Sequence, residues 1–298
     1  MIEEALYSHL QSQDVLSPFL ASYGGNKAIF NQEAPADTDA GWDSDLQYGR
    51  IVFAIDTQTD PERGVSATLM VDISCKNGEQ VPEEIEPLVR TAIDGYFFSQ
   101  GMTTMAAQWQ SSNYFTEPTE KVNGVTMTFT LLAFPKQTTI EPDPIALINE
   151  WTSEELTQIL GVGIRVIGRD ELPDAWKPTN EFPAIYWRIQ QTQKCTWIPD
   201  TYQCSWLTAV LQGHVLTPDK DIADIICRLI HNTLTVKKRL IFADNSPLMV
   251  DRNIRHTPTA DELRTGQISI EGTYGILTPP LNSNLLQHLN VNGREVQK

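Results

Sequence analysis

One cysteine and two histidines are the best candidates for metal chemistry in this sequence. Cys227 and His231 lie one helical turn apart, and His214 lies on the stretch that precedes that helix. Thiolate and imidazole ligands at this spacing suit zinc, but a structural zinc site uses four ligands. A cysteine beside an apolar stripe is more often a small buried side chain. We therefore expect Cys227 to have a packing role, with no metal and no cofactor.

A second group, of aspartates, surrounds Gly41 and Trp42 in an irregular stretch. Its members are Asp37, Asp39, Asp43 and Asp45. Carboxylates at such intervals can bind calcium, and a helix–loop–helix calcium loop needs a glutamate at its twelfth position. Counted from Asp37 this position holds Tyr48, which cannot be a bidentate ligand. A solvated acidic loop is the simpler interpretation.

No set of residues in the sequence matches a catalytic pattern. There is no Gly-rich phosphate loop, no Gly-x-Ser-x-Gly motif and no His-Glu-x-x-His motif. Cys195 and Cys204 could meet across a hairpin, but two free thiols are the expected state in a reducing compartment. We therefore predict that the protein is not an enzyme.

The helix that carries Cys227 has a counterpart in the first half of the chain. An apolar stripe runs from Ile85 to Phe97, and a stripe with the same spacing begins at Ile222. Apolar residues three and four apart mark one face of an amphipathic helix. The position equivalent to Cys227 is Arg90, which cannot bind a metal. This comparison weakens the zinc hypothesis and indicates that one unit occurs twice.

The segments around the two helices repeat as well. Each half has a short helix, two alternating strands, the long helix and two further strands. These elements span residues 2–10, 51–55, 67–75, 85–97, 106–115 and 125–133, and then 145–156, 184–189, 207–215, 222–234, 248–256 and 268–276. Such a unit predicts an α+β fold, a four-stranded antiparallel or mixed sheet with both helices packed on one face. We expect two tandem copies.

The boundary between the copies follows from a linker. Residues 135–143 contain two prolines and no periodicity, and Asp143 can cap a helix that has Pro144 at its first position. We place the first copy at residues 1–136 and the second at 142–278. Residues 279–298 are predicted to be a C-terminal tail or docking arm, with one helical turn indicated by Leu285, Leu286 and Leu289.

Composition argues against several functional classes. The 298 residues have a net charge of −16, so nucleic-acid phosphates would repel the chain. The basic run Lys237, Lys238 and Arg239 is most simply a solvated turn. No apolar segment is long enough for a bilayer, and the N-terminus does not resemble a signal peptide. Four cysteines are too few for a disulfide scaffold.

Four segments of the second half have the order and spacing of a known domain. They are Glu181-Phe182-Pro183-Ala184-Ile185, the strand Cys204 to Val215, the helix Asp219 to Leu234 and the strand Gly266 to Tyr274. This half resembles the tail terminators of lambda-like phages, the minor tail protein U family. The first half, with Ala34-Pro35 and Gly49 to Ile55, is similar to the same domain or to siphophage tail-completion proteins. Ordinary members have one such domain, so the tandem is a departure.

The resemblance implies a structural virion protein located in the phage tail or neck and assembled in the host cytoplasm. Family members form a ring, typically hexameric, that caps the tail tube and joins the tail to the head connector. For this chain it implies partners of five kinds: further copies of itself, the tail tube protein, connector or neck proteins, a sheath, and DNA that passes through without sequence-specific binding. Two domains per chain leave rings of six or three chains open, and their divergent loops favour six.

Subunit contacts are expected where long irregular stretches lie beside the sheets. The first half offers residues 34–48, and the second offers 170–179 and 198–202. The predicted contact residues are Pro35, Asp37, Asp39, Trp42, Asp43, Asp45, Trp176, Lys177, Pro199, Asp200 and Tyr202.

Two alternatives remain beside the terminator hypothesis. The chain could be another neck or baseplate component of a tail-like particle. It could also be a two-domain ligand-binding protein or enzyme with a site between its halves. The last alternative needs matched His, Asp or Glu residues at strand ends in both halves, and the sequence shows no such set.

Overall fold

A computed structural model describes the chain except for residues 1, 45, 79, 102, 120, 138–140, 202, 278–287, 292–293 and 298. The described part combines α-helices with two large, mainly antiparallel β-sheets. No helix within it is long and apolar enough to cross a membrane.

The first half contributes two α-helices, the two-stranded hairpin β1–β2 and six strands of a larger sheet. Its elements are α1 Ile2–Gln11, a 3₁₀ turn Asp14–Leu16, β1 Ser22–Tyr23, β2 Asn26–Lys27, β3 Ile29–Asn31, β4 Arg50–Asp60, β5 Gly64–Lys76, α2 Pro82–Ile93, β6 Phe97–Gln100, β7 Thr103–Glu117 and β8 Val122–Ala133.

The second half follows the same plan. Its elements are α3 Pro144–Trp151, a π-helical turn Thr152–Leu156, α4 Thr157–Leu160, β9 Arg165–Ile167, β10 Ala175–Trp176, β11 Ala184–Lys194, β12 Cys204–Leu216, α5 Lys220–Lys237, β13 Arg239–Ile241, β14 Pro247–His256 and β15 Ile268–Leu277. As predicted, the side chain of Asp143 caps α3 by accepting hydrogen bonds from the backbone N–H groups of Ile145 and Ala146.

The two sheets are larger than the predicted four strands. The first has the order β10-β6-β7-β8-β5-β4-β3, and the second has the order β13-β14-β15-β12-β11-β9. The four strands predicted in each half form the antiparallel centre of its sheet. The edge strands were missed because strands of two to four residues are too short to show a period.

Six strands occupy equivalent places in the two sheets. Read from β6 and from β13, both sheets run through an antiparallel set to an edge strand, β3 or β9, that is parallel to its neighbour. The seventh strand of the first sheet, β10, has no equivalent in the second sheet, and the chain reaches it only after starting the second half.

Each sheet shares a core with its own helices. In the first half Leu6 and Leu10 of α1 and Val89 of α2 are buried with inward-facing sheet residues such as Phe53. In the second half Ile148 and Ile230 belong to the corresponding cluster with Leu211. Burying one large apolar side chain stabilises the folded state by about 1.5–3 kcal/mol. These clusters are therefore the main stabilising contacts of each half.

The long helices differ in length although their apolar stripes match. Helix α2 ends at Ile93 because Asp94 is extended and Gly95 has a φ of +73°. Tyr96 and Phe97 are therefore not helical, and the predicted continuation of the stripe to Phe97 is wrong. Helix α5 continues to Lys237.

The C-terminal region contains a short hairpin where it is described. Strands β16 His288–Val291 and β17 Arg294–Gln297 pair antiparallel. Leu289 lies in a strand, so its predicted helical turn is wrong, whereas Leu285 and Leu286 lie outside the described residues.

Candidate functional site: the junction between the sheets

A strand from the second half extends the sheet of the first. Ala175 and Trp176 of β10 pair antiparallel with Phe98 and Phe97 of β6. Trp176 is 4% exposed, its ring stacks on Phe97 with centroids 4.7 Å apart, and its Nε1–H donates to Ser99 Oγ over 3.1 Å. The buried tryptophan of the segment between β9 and β11 is thus held by the other half of the same chain.

Around Trp176 lies an apolar cluster built from both halves, which we call the junction cluster. Its buried members are Phe97, Ala106, Leu132, Phe134, Ile167, Trp176, Ala184, Tyr186 and Leu216. The alternate strand positions, such as Phe98 and Ile185, face the two helix-covered cores instead. The junction cluster therefore packs the helix-free face of one sheet against that of the other.

A buried arginine joins the two halves by its hydrogen bonds. Arg63, in the turn between β4 and β5, is 5% exposed. Its guanidinium donates to the carbonyl of Ala133 over 2.9 Å and to the carbonyl of Leu263 in the second half. It also lies 4.6 Å from the ring centroid of Phe134. Burial, followed by the nearby charge of Arg188, lowers the pKa of Arg63.

A second polar group at the junction is His214, which is fully buried and whose ring lies against Phe134. Its Nε2 lies 3.2 Å from Arg188 Nε, and its Nδ1 lies 2.8 Å from the carbonyl oxygen of Glu262. The guanidinium can only donate and the carbonyl can only accept, so the imidazole is neutral with its proton on Nδ1. Burial is the main cause that lowers the pKa of His214 to about 3. Arg188 also pairs with Glu62 of the first half at 3.3 Å.

The clefts at the junction are small. One of 280 Å³ is lined by Arg63, Arg188 and Arg264 together with Asp60 and Glu62. Another, of 140 Å³ and mainly apolar, lies beside Phe97 and Leu263. Small-molecule sites usually measure about 300–1,000 Å³. The arrangement is better suited to fixing the halves together than to enclosing a substrate.

The structure places the predicted acidic residues in tight turns. Asp37 accepts from Arg50 at 2.6 Å and from the Tyr48 hydroxyl at 3.0 Å. Asp39 accepts from the hydroxyl of Tyr23 at 3.0 Å. Because these carboxylates receive N–H and O–H donors, they stabilise the loop rather than surrounding an ion.

Asp43 has the same role at the next turn. It accepts from Ser22 Oγ at 2.6 Å and from the backbone N–H of Gly25 at 2.8 Å, and these bonds lower the pKa of Asp43. Asp45 lies outside the described residues.

Trp42 and Pro35 are the other predicted contacts in this loop. Trp42 is 9% exposed and packs edge-on against Tyr23 and Phe30, in a small cluster with Ala21 and Ala28. We call this set the hairpin cluster because Tyr23 belongs to the β1–β2 hairpin. Pro35 is half-buried. The hairpin cluster lies entirely within the first half.

The predicted contacts of the second half fall at two separate places. Trp176 belongs to the junction cluster, and Lys177 Nζ donates to the carbonyl of Asp94 over 2.9 Å, so both contact the first half of their own chain. Pro199 and Asp200 lie exposed at the tip of the β11–β12 hairpin. The 2.6 Å bond from Lys194 lowers the pKa of Asp200.

Tyr202, the remaining predicted contact on this hairpin, lies outside the described residues.

The three proposed zinc ligands do not meet. Cys227 is buried in the helix-covered core, where burial raises the pKa of its thiol to about 12. His214 belongs to the opposite, junction face of the sheet, and His231 is paired with Asn232 at 3.3 Å. Within the described ranges no three His, Cys, Asp or Glu residues are grouped to hold a metal ion.

The two cysteines of the β11–β12 hairpin are free thiols. Cys195 is buried and receives no bond from Cys204, which lies opposite Leu277 on β15 instead.

Apart from Trp176 and Lys177, which were expected to contact another subunit, sequence reasoning missed the residues that form the junction, although one signal was present. The run Ala184-Ile185-Tyr186-Trp187 is apolar at every position, which is typical of a strand covered on both faces. No comparable signal marks Arg63 and Arg188, because the neighbouring residues in the sequence do not distinguish a buried arginine from an exposed one.

Comparison with known proteins gives no further assignment. No protein-family model matches the chain, and the search of curated proteins finds no match.

Proposed function

We propose that the protein is a structural component of a phage-tail-like particle, a terminator that forms a ring at the end of the tail tube and connects it to the head. In this proposal residues 1–136 and 142–278 are two terminator-like domains. The observation that carries it is the strand order shared by the two sheets, which the junction cluster packs together as one block. A ring subunit benefits from such a block because its neighbours then meet surfaces of fixed relative position.

Charge and surface chemistry support the same function. A net charge of −16 suits a passage through which DNA slides without being held. Outside the junction cluster, the helix-free face of the first sheet is mainly polar along β5 and β8: Thr68, Asp72, Thr126 and Thr128 are half-buried, and Met70 among them is 44% exposed. An antiparallel sheet can have one solvated face, so this part of the face is available to neighbouring subunits or other tail proteins.

Another neck or baseplate component would share these features, so the ring itself is the property to test. Negative-stain electron microscopy of the purified full chain is expected to show closed particles with a central hole. The same particles added to isolated tail tubes should be seen at one tube end. A chain that stays monomeric at high concentration, or that forms particles without a hole, would contradict the terminator function.

A further inference from the structure

The second sheet ends in a strand whose outer edge is open. Strand β13 pairs only with β14 among the described residues, whereas the equivalent strand of the first sheet, β6, is covered by β10. Ile241 on β13 is 47% exposed, and Val236 at the end of α5 is 83% exposed. An uncovered edge with exposed apolar side chains is a place where another chain can add.

This open edge is basic. Lys237, Lys238 and Arg239 lie exposed where α5 passes into β13. Lys237 is paired with Glu155 at 2.5 Å. Within the described residues neither Lys238 nor Arg239 has an acidic partner, so two charges remain available at the edge.

The first half holds an acidic segment at the place that β10 occupies in the second. Residues 32–49 connect β3 to β4, as residues 168–183 connect β9 to β11. The segment has Glu33 and the aspartates 37, 39, 43 and 45, and it has no lysine or arginine. Asp37 is paired with Arg50 at 2.6 Å, whereas among the described residues no basic side chain pairs with Glu33, Asp39 or Asp43. Leu46 is 54% exposed.

We propose that segment 32–49 of one copy docks on the β13 edge of a second copy. Within one chain, segment 168–183 covers the edge of the first sheet, whereas among the described residues segment 32–49 and the β13 edge make no equivalent strand pairing. Their opposite charges fit each other, which favours a second copy of this chain as the occupant. The inference rests on the self-association in the proposed function and names its surfaces.

The intermolecular contact differs from the internal one in its side chains. Trp42 stays in the hairpin cluster, so the exposed side of the segment, with Leu46 and Glu33, meets Ile241 and Arg239. The contact joins two different surfaces, so each copy uses its segment on one neighbour and its edge on the other. Such heterologous contacts make a ring if the rotation closes.

Two charge-changing variants and their mixture test the contact. The edge variant is Lys238→Glu with Arg239→Glu, and the segment variant is Glu33→Lys with Thr38→Lys; all four side chains are exposed. Association is measured for each full chain by analytical ultracentrifugation over a concentration series. We expect the association constant to fall at least tenfold for each variant alone. A one-to-one mixture should recover association, because the two new glutamates of one copy then face the two new lysines of the other, and native edges meet native segments.

The matched control carries Lys121→Glu with Lys220→Glu. Lys121 is an exposed lysine with a φ of +54°, close to the +62° of Lys238, and Lys220 is an exposed lysine away from β13. The control should associate as the native chain does. Thermal melting of all the variants reports whether each one is folded.

Three results would overturn the proposal. The first is native-like association of both variants, and the second is a native chain that does not associate at all. The third is a loss of association in the edge variant alone, which would mean that the β13 edge binds something other than segment 32–49, such as β13 of a second copy. A ring that survives both variants refutes this contact but not the terminator function. An assembly that both variants abolish and their mixture restores, but that has no central hole, supports the contact and refutes the terminator function.

Discussion

Two segments at equivalent places in the halves have different partners. Trp42 and Trp176 each lie eight residues before the central strand that follows, at Arg50 and Ala184. Trp176 is buried by the opposite half of the chain, whereas Trp42 is buried by the β1–β2 hairpin of its own half. The same residue type at the same place thus joins two sheets in one case and closes a loop in the other.

The difference comes from the chain that precedes each segment. In the first half the stretch between α1 and β3 is long enough to form the β1–β2 hairpin, which offers Tyr23 to Trp42. In the second half only residues 161–164 separate α4 from β9, so no hairpin can form there. A tryptophan without a local partner remains available for a distant one, and the comparison shows how equivalent positions in two similar sheets come to have different contacts.

Removing the two tryptophans should give the largest contrast. We expect Trp176→Ala to lower the free energy of unfolding by roughly 3–5 kcal/mol, because it empties a packed site and removes the indole hydrogen bond to Ser99 Oγ, which keeps only its bond with Thr104 Oγ1. Trp42→Ala should cost about 1–2 kcal/mol, because its small cluster can collapse. Chemical denaturation measures both values.

Hydrogen exchange locates the two effects. Trp176→Ala should speed exchange in β6 and β10 together, whereas Trp42→Ala should speed it only around β1, β2 and residues 32–49. Equal losses of stability, or exchange changes confined to one half in both variants, would contradict the different roles of the two residues.

Arg63 sharpens the comparison because its contacts also cross the junction. Arg63→Met keeps the length of the side chain but leaves the carbonyls of Ala133 and Leu263 without a donor. We expect a loss of roughly 2–4 kcal/mol in unfolding free energy. Arg228→Met is the matched control, because the Arg228 side chain is 68% exposed and, among the described residues, its ion pair is with Asp224. A similar loss in both variants would argue against the junction role of Arg63.

His214 should make the stability of the junction dependent on pH. An unfolded histidine has a pKa of about 6.5, whereas the pKa of folded His214 is lowered to about 3. Between these values the unfolded chain binds a proton that the folded chain does not, so stability falls as pH drops from about 6.5 toward 3. The fall from this group is about 1.4 kcal/mol per pH unit at most.

The variant His214→Gln isolates this contribution. Its amide can still donate to the Glu262 carbonyl and accept from Arg188, but it does not titrate. Denaturation at pH 7.5, 6 and 5 should therefore show a shallower loss of stability than in the native chain. Parallel pH profiles would show that His214 does not cause the dependence.

A substitution in the acidic segment of the first half, residues 32–49, should change the free energy of unfolding least. Asp37→Asn weakens the exposed pair with Arg50, and we expect a loss of about 1 kcal/mol or less that decreases in high salt. Denaturation in low and high salt measures it. A loss as large as that of Arg63→Met would mean that this segment stabilises the fold as strongly as the junction does.

The sequence was sufficient for the elements whose signals are local. The alternation of Ala67 to Cys75 and the stripe from Ile85 predicted β5 and α2, and the capping chemistry of Asp143 predicted the start of α3. The stripe was followed too far, to Phe97, because the residues after the helix end happen to keep its spacing. The spacing of apolar residues does not by itself show that the helix ends before Gly95.

The junction could not be predicted because its contacts join residues far apart in the chain. Leu263 lies some two hundred residues from Arg63, and no local pattern records that its carbonyl accepts from that guanidinium. Trp176 was predicted to be a subunit contact because it lies in an irregular stretch, but the structure buries it against the first half of its own chain. The subunit contacts of the other chosen residues stay predictions.

The pairing of β10 with β6 also has a consequence for folding during synthesis. The first sheet has its central strands once Ala133 has been made, but the strand that covers β6 ends at Trp176. At about 5–20 residues per second, the ribosome needs roughly 2–9 seconds to make the intervening chain. During that interval the nascent first half presents Phe97 on an uncovered strand, so this is the stage at which a chaperone or a neighbouring nascent chain would find a binding edge.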